Sequence, residues 1–255
     1  EEIRRVGTGR AAGDWPKREE RRERDFMAFW IASLAGLAVA YLLGAVPTGY
    51  LAGRLVAGID IREHGSKSTG ATNVLRTLGK GPALAVLLVD VAKGAAAIVF
   101  ARWFYPWLAA QPFATSPFTT SPTPLDLGSF VPWAVCGAGL AALLGHGRSI
   151  WLGFTGGKSA ATGLGVLLAM SWPVGLGAAA VFAATLALVR IVSLGSMLAA
   201  ATAVVLVFAL GEPLPYCLLV VAGGLYVIAR HRANIQRLLA GTEPRLGQSS
   251  PAAKT

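Results

Sequence analysis

Seven long apolar runs, at 27–46, 82–104, 130–145, 160–171, 174–189, 194–211 and 214–229, limit what this chain can fold into. Each run is continuous rather than alternating, and several approach the ~20 residues that a helix needs to cross ~30 Å of hydrocarbon. No water serves the backbone inside a bilayer, so only helices or closed barrels satisfy every N–H and C=O there. Continuous runs select the helix. Of the 255 residues, 54% are hydrophobic and only 14% charged, whereas a soluble domain carries about 25% charged residues. The expected fold class is all-α: a polytopic integral membrane protein with seven transmembrane helices.

Seven crossings place the termini on opposite sides, and Lys and Arg set the orientation. The segments after the first, third, fifth and seventh runs hold Arg54, Arg62, Lys67, Arg76, Lys80, Arg148, Lys158, Arg190, Arg230, Arg232, Arg237, Arg245 and Lys254. The segments after the other three hold only Arg102. The N-terminus is therefore expected outside and the C-terminus in the cytoplasm. Residues 1–25 disagree, because they carry eight basic and seven acidic residues on the expected outer side, and the first Met is Met27. We read 1–26 as a disordered or upstream extension, 27–245 as the membrane domain, and 246–255 as a flexible cytoplasmic tail. Cys136 and Cys217 lie within spans as small apolar fillers, and the Pro/Ser/Thr-rich stretch 111–129 is an outer connector.

The polar residues gather on the expected cytoplasmic side. The run REHGSKSTGATNVLRTLGKG (62–81) supplies turns, hydroxyls and exposed N–H groups, with Lys67, Arg76 and Lys80 adding positive charge. Such turns make anion-binding nests, to which Thr72 and Asn73 contribute. Plain positive-inside lysines in a polar loop are the simpler alternative. In LGHGRSIWLGFTGGKSAAT (144–162), Gly156 and Gly157 allow close backbone approach to a ligand. Lys158 then stands at a helix start that favours anions. The spacing fails the nucleotide-loop pattern G-x-x-x-x-G-K-[ST], because Leu152 occupies the first glycine position. A tight turn between two spans explains the loop equally well. The third cluster is ARHRANIQRL (229–238), where His231 and Asn234 share a helix face. His231 is a base, a phosphate donor or a snorkelling interfacial residue. Asp90 and Lys93 lie mid-span at i,i+3, a structural or functional intramembrane pair.

Beyond residue 26 the carboxylates are only Asp60, Glu63, Asp90, Asp126, Glu212 and Glu243, without a cluster. Metal-assisted phosphotransfer needs several carboxylates together, so neither a metal nor a cofactor is expected. The His-x4-Asp acyltransferase pattern is missing, because Thr69, Trp151 and Gln236 lie five residues after His64, His146 and His231.

Five pieces in order, VPTGYLAGRL (46–55), HGSKSTGATNVLR (64–76), VDVAKG (89–94), GHGRSIWLGFTGGKSAAT (145–162) and RHRANIQRLLAGTE (230–243), resemble the bacterial membrane glycerol-3-phosphate acyltransferases that use acyl-phosphate donors, the PlsY family. The resemblance covers roughly 40–245. It implies acyl transfer from a long-chain acyl phosphate to the 1-hydroxyl of glycerol 3-phosphate, giving lysophosphatidate and inorganic phosphate in the first step of phospholipid synthesis. It implies a bacterial inner-membrane enzyme with a cytoplasm-facing site, membrane lipid around it, and the acyl-phosphate-producing enzyme as a candidate partner; no nucleic acid is expected. Residues implicated in catalysis or substrate binding map to Ser66, Arg76, Lys158, His231 and Asn234, with His231 oriented by Asn234. Two departures stand out. The family's Ser-Gly-Asn reads Ser66-Lys67-Ser68 here, and the glycine usual after the Gly-Gly-Lys lysine is Ser159. The rival reading is a small-anion transporter, which would be expected to place its polar groups near the midplane; here only Asp90 and Lys93 are central.

Overall fold

A backbone surrounded by lipid must close its hydrogen bonds within each segment, and every regular element longer than three residues is an α-helix among the described residues. The structure, a computed structural model, describes residues 15–114 and 126–247. Residues 1–14 of the expected extension, 115–125 of the connector and 248–255 of the tail lie outside the described residues. The helices are α1 (Trp15–Ala45), α2 (Thr48–Ala57), α3 (Ala71–Leu78), α4 (Lys80–Ala109), α5 (Leu127–Gly147), α6 (Ala160–Met170), α7 (Trp172–Val189), α8 (Val192–Ala209), α9 (Leu214–Arg230) and α10 (Arg232–Leu239). Residues 15–26, expected to be an extension, are helical and continuous with the first apolar run. Leu246, expected in the tail, donates its N–H to the Arg190 carbonyl at 2.7 Å.

Local chemistry sets the helix ends. Asp126 caps α5, its carboxylate accepting from the N–H groups of Gly128 and Ser129. Gly58, at φ +69°, closes α2 in the left-handed conformation that only glycine adopts without strain. The chain bends by 59° between α9 and α10, at His231.

Each of the seven expected apolar runs has a helical counterpart. By length and composition, five helical segments are fit to cross a membrane, or six if α9 and α10 form one bent span. The outlier is α6, whose 11 residues rise only ~16 Å, about half the hydrocarbon thickness. Its short C-terminal end is secured by Arg102 of α4, whose guanidinium donates to the carbonyls of Ala169 (2.9 Å) and Met170 (2.8 Å). The carbonyls that a helix leaves orphaned at its end thus find a charged donor instead of water. Beside them, Ser171 donates to Glu212.

α4 lies at the centre and touches α1, α5 and α6. It meets α6 at backbone contact: a Cβ on Gly94 would collide with the Thr162 carbonyl, and one on Gly165 with the Val91 carbonyl. Lipid gives no hydrophobic drive between helices, so this close fit holds them by dispersion. Opposite the cavity described below, Phe29, Tyr105 and Phe130 cluster with ring centroids 5.6–5.9 Å apart, and Tyr105 donates to the Ser33 carbonyl.

The contact predicts its own test. Gly165→Ala should lower unfolding stability in detergent by ~1–3 kcal/mol, the usual cost of overpacking. Gly81→Ala, where an added Cβ meets nothing within 4 Å, should cost nothing. Equal thermal midpoints for the two variants would remove close packing as the basis of the α4–α6 contact.

Candidate active site

The polar loops meet over one cavity of about 220 Å³, lined elsewhere by residues of α4–α9. Ser66, Thr72, Arg76, Lys158, His231 and Asn234 line its polar end. Leu167, Phe182, Ala199, Leu219 and Val220 line its apolar arm among the helices. An ionic head and an aliphatic tail therefore fit one continuous space.

Lys158 anchors the polar end. Its Nζ donates to Asn234 Oδ1 at 2.6 Å, and Asn234 Nδ2 donates to Glu243 Oε1 at 2.6 Å. Ser193 Oγ (2.7 Å) and Arg237 Nε (2.7 Å) also donate to Glu243. This chain fixes which way the Asn234 amide points. It also ties three regions remote in sequence: the α5–α6 loop, α8, and α10 with the segment that follows it. Burial pushes the Lys158 amine down from 10.5 to about 8; Arg237, Arg76 and Arg230 push the same way, and Glu243 opposes them. Burial favours a neutral Glu243, but the bonds from Ser193, Asn234 and Arg237 outweigh it and hold the carboxyl below its ordinary range.

His231 is buried, and its Nδ1 lies 2.7 Å from the Val227 carbonyl. A carbonyl only accepts, so Nδ1 carries the proton and Nε2 keeps its lone pair. The expected orientation of His231 by Asn234 is thereby corrected: the Val227 carbonyl holds the imidazole, and the Asn234 side chain serves Lys158 and Glu243 instead.

The 62–73 loop is built around Asn73, 1% exposed. Its Nδ2 donates to the carbonyls of Ile61, His64 and Ser68, and its Oδ1 accepts the Ser66 N–H at 2.7 Å. The amide is fully occupied in shaping the turn, so Asn73 positions the Ser66 backbone rather than offering itself to an anion. At the base of the loop, a side-chain bond from Arg62 holds Asp60 at about 2, well below the usual carboxylate range. Ser68, at the family's Asn position, accepts the Gly70 N–H at 3.4 Å.

Gly156 and Gly157, expected to bind phosphate, do not line the cavity. The Gly157 N–H is donated to the His146 carbonyl, and both glycine carbonyls accept from Arg230. A Cβ on either would strike His146, so these glycines permit the close seating that presents Lys158. Asp90 and Lys93 do pair, at 2.8 Å. The pair also takes in Thr48, which donates to Asp90, and the Val46 carbonyl, which accepts from Lys93. His146 stands 3.6 Å from Asp90, and Asp90 and His146 both reach the cavity wall.

Sequence reasoning missed Glu243, Ser193, Arg230 and His146. A signal for Glu243 did exist, since a lone carboxylate in a strongly basic C-terminal run is a natural counter-charge for a half-buried lysine.

A profile of the family described as glycerol-3-phosphate acyltransferase matches residues 34–241. Glycerol-3-phosphate acyltransferase 2 of Rhizobium johnstonii is 72% identical over 222 residues, covering 87% of this chain and 99% of the relative. The glycerol-3-phosphate acyltransferase of Acaryochloris marina is 57% identical over 223 residues, covering 87% and 96%. Among solved structures, the integral membrane glycerol 3-phosphate acyltransferase PlsY in its glycerol 3-phosphate form superposes with a TM-score of 0.70 at 34% identity, covering 84% of this chain and 96% of that one. Its lysophosphatidic acid form gives 0.68, covering 84% and 95%.

The Lys158 environment predicts a pH dependence. The ammonium is present below about 8 and lost as pH rises through it, so anion affinity should be full at pH 7 and fall above 8. Sulfate, which does not titrate there, is the probe. Calorimetric titration should show weakening between pH 7.5 and 9 that disappears in Lys158→Arg. A flat profile in the unaltered protein would show that Lys158 holds no anion.

Proposed function

This chain belongs to the glycerol-3-phosphate acyltransferase family and is a membrane O-acyltransferase acting on glycerol 3-phosphate; we propose that its donor is a long-chain acyl phosphate and that the cationic cavity carries out the transfer as follows. The observation that carries this reading is the meeting of Arg76, Lys158 and His231 at the polar end of a cavity whose other arm is apolar.

Both substrates bear phosphate and the donor is already activated, so the site must align and neutralise more than it must attack. Arg76 at the rim and Lys158 deeper in hold the phosphates, assisted by the Ser66 hydroxyl and the α3 start at Thr72. The acyl chain lies in the arm lined by Phe182, Leu219 and Val220. The 1-hydroxyl oxygen attacks the acyl carbonyl carbon while its proton passes to His231 Nε2. The tetrahedral oxyanion and the departing phosphate face Lys158. The C–O bond to phosphate then breaks, leaving lysophosphatidate and inorganic phosphate.

We further propose a seven-segment embedding in a bacterial inner membrane, with the N-terminus outside and the cavity facing the cytoplasm. The bias of Lys and Arg to one set of connections supports this orientation. Glycerol 3-phosphate then enters from the cytoplasm and the acyl phosphate from the leaflet beside it. The enzyme that makes the acyl phosphate is a candidate partner at that face.

Purified protein given palmitoyl phosphate should release inorganic phosphate only when glycerol 3-phosphate is present, whereas acyl-CoA should not serve. His231→Ala and Lys158→Ala should each lose roughly 100-fold or more in kcat/KM, with helix content and thermal midpoint retained. Near-normal turnover in both folded variants would overturn the assignment of these roles.

A further inference from the structure

The α5–α6 loop begins with a knuckle, residues 148–155, that lines no part of the cavity. Its frame is tightly bonded. Ser149, 2% exposed, donates through Oγ to the Ala45 carbonyl at 2.6 Å. The Ser149 N–H and C=O pair with the Thr155 carbonyl and the Phe154 N–H, at 3.1 and 2.8 Å. Thr155 Oγ1 donates to the Leu152 carbonyl, and Tyr41 Oη donates to the Arg148 carbonyl. From this rigid base Ile150, Trp151 and Phe154 project outward, at 49%, 63% and 57% exposure. Phe154 does so at φ +58°, a region that bulky residues avoid. Strain kept in order to display an aromatic ring points to a use for the ring.

Two observations identify what covers these rings. First, exposed apolar residues flank the points where the knuckle is bonded to the bundle at Tyr41 and Ala45: Leu42 on α1, Val46 just after it, and Leu144 on the last turn of α5, the pattern of a surface turned to lipid. Second, tryptophans collect at the two boundaries of a bilayer, where an apolar ring with a polar N–H is best accommodated. The exposed Trp103, Trp107, Trp133 and Trp172 mark the bundle end opposite the cavity, where α4 ends and α5 and α7 begin, and the exposed Trp30 lies near the start of the apolar run of α1. Trp151 alone among the described tryptophans stands at the cavity end, with exposed Arg148 at its shoulder. An aromatic tip flanked by arginine matches the boundary between acyl chains and anionic headgroups.

We propose that the 148–155 knuckle inserts Ile150, Trp151 and Phe154 into the headgroup–acyl boundary of the leaflet beside the cavity, and so pins the adjoining Gly156–Lys158 segment at the bilayer surface. The catalytic lysine is then held at the depth where an amphiphilic donor carries its phosphate. That consequence rests on the function proposed above; the insertion itself does not.

The first test therefore needs no turnover. Trp151→Cys, in a protein whose buried Cys136 and Cys217 are replaced by Ala, carries a nitroxide in vesicles of phosphatidylethanolamine and phosphatidylglycerol. Lys67→Cys serves as the aqueous reference and Leu225→Cys as the lipid reference. The label at 151 should be relaxed by oxygen as strongly as the label at 225 and shielded from a water-soluble nickel complex. Relaxation like that at 67 would overturn the insertion and leave this surface for a soluble partner. The second test is Trp151→Ser with Phe154→Ser, which should raise KM for palmitoyl phosphate in vesicles roughly five- to tenfold with kcat held. In detergent micelles its KM should match that of the unaltered protein. Equal change in both media, or none in vesicles, would refute the pinning of Lys158.

Discussion

A lysine ammonium sequestered from water must either find acceptors or give up its proton. Lys158 stands between these outcomes, and the architecture of the site follows from the solution adopted. Asn234 carries the influence of Glu243 to the ammonium without placing a carboxylate directly against it. A direct ion pair would neutralise the lysine so well that an incoming phosphate would gain little by displacing the carboxylate. One amide in between leaves Lys158 oriented and only partly compensated. Glu243 in turn is held by Ser193 and Arg237, so the segment after α10 is part of the site and not an appendage to it.

The rest of the bundle makes that arrangement possible. α6 must begin immediately after Lys158, yet its 11 residues are too few to cross the bilayer alone. Backbone contact with α4 through Gly94 and Gly165 fixes it in depth and rotation, and Arg102 closes its far end. The Asp90–Lys93 pair ties α4 to the α1–α2 break through Thr48 and Val46. It thereby joins the glycine-seated helix to the wall behind His146. Charges inside this bundle are spent on holding helix ends and loops where lipid offers no hydrogen bonds.

Much of this was legible in the chain itself. Apolar continuity located the seven apolar runs that are helical, though not the short α2, α3 and α10, because period and length act locally. The meeting of Arg76, Lys158 and His231 was anticipated from three basic segments expected on one side of the membrane. What stayed hidden depends on partners far away in sequence. Asn73 and Asn234 look alike as polar residues in basic loops, yet one folds a turn and the other links a lysine to a glutamate. Gly156 and Gly157 read as phosphate-facing because their neighbour is lysine, but Arg230 and His146, which occupy their polar groups, lie elsewhere in the chain. Glu243 was set aside because carboxylates were weighed as metal ligands, where a single one counts for nothing. As a counter-charge, a single one suffices.

The two departures from the family pattern acquire a common meaning from the backbone. Lys67 and Ser159 occupy positions where the family carries glycine, and both sit at positive φ, +56° and +61°. The left-handed conformation costs a non-glycine residue roughly 1–2 kcal/mol, so the loops keep a shape suited to glycine despite losing it. Ser159 recovers part of that cost, since its side chain is fully buried and donates to the Leu143 carbonyl at 2.8 Å. The bond ties the start of α6 to α5 directly beside Lys158, which a glycine could not do. Lys67 has no such compensation in burial, being exposed, but it adds a cation beside Ser66 at the mouth of a site that collects phosphates. In both loops the backbone geometry is retained, and a side chain now occupies the space that glycine leaves open.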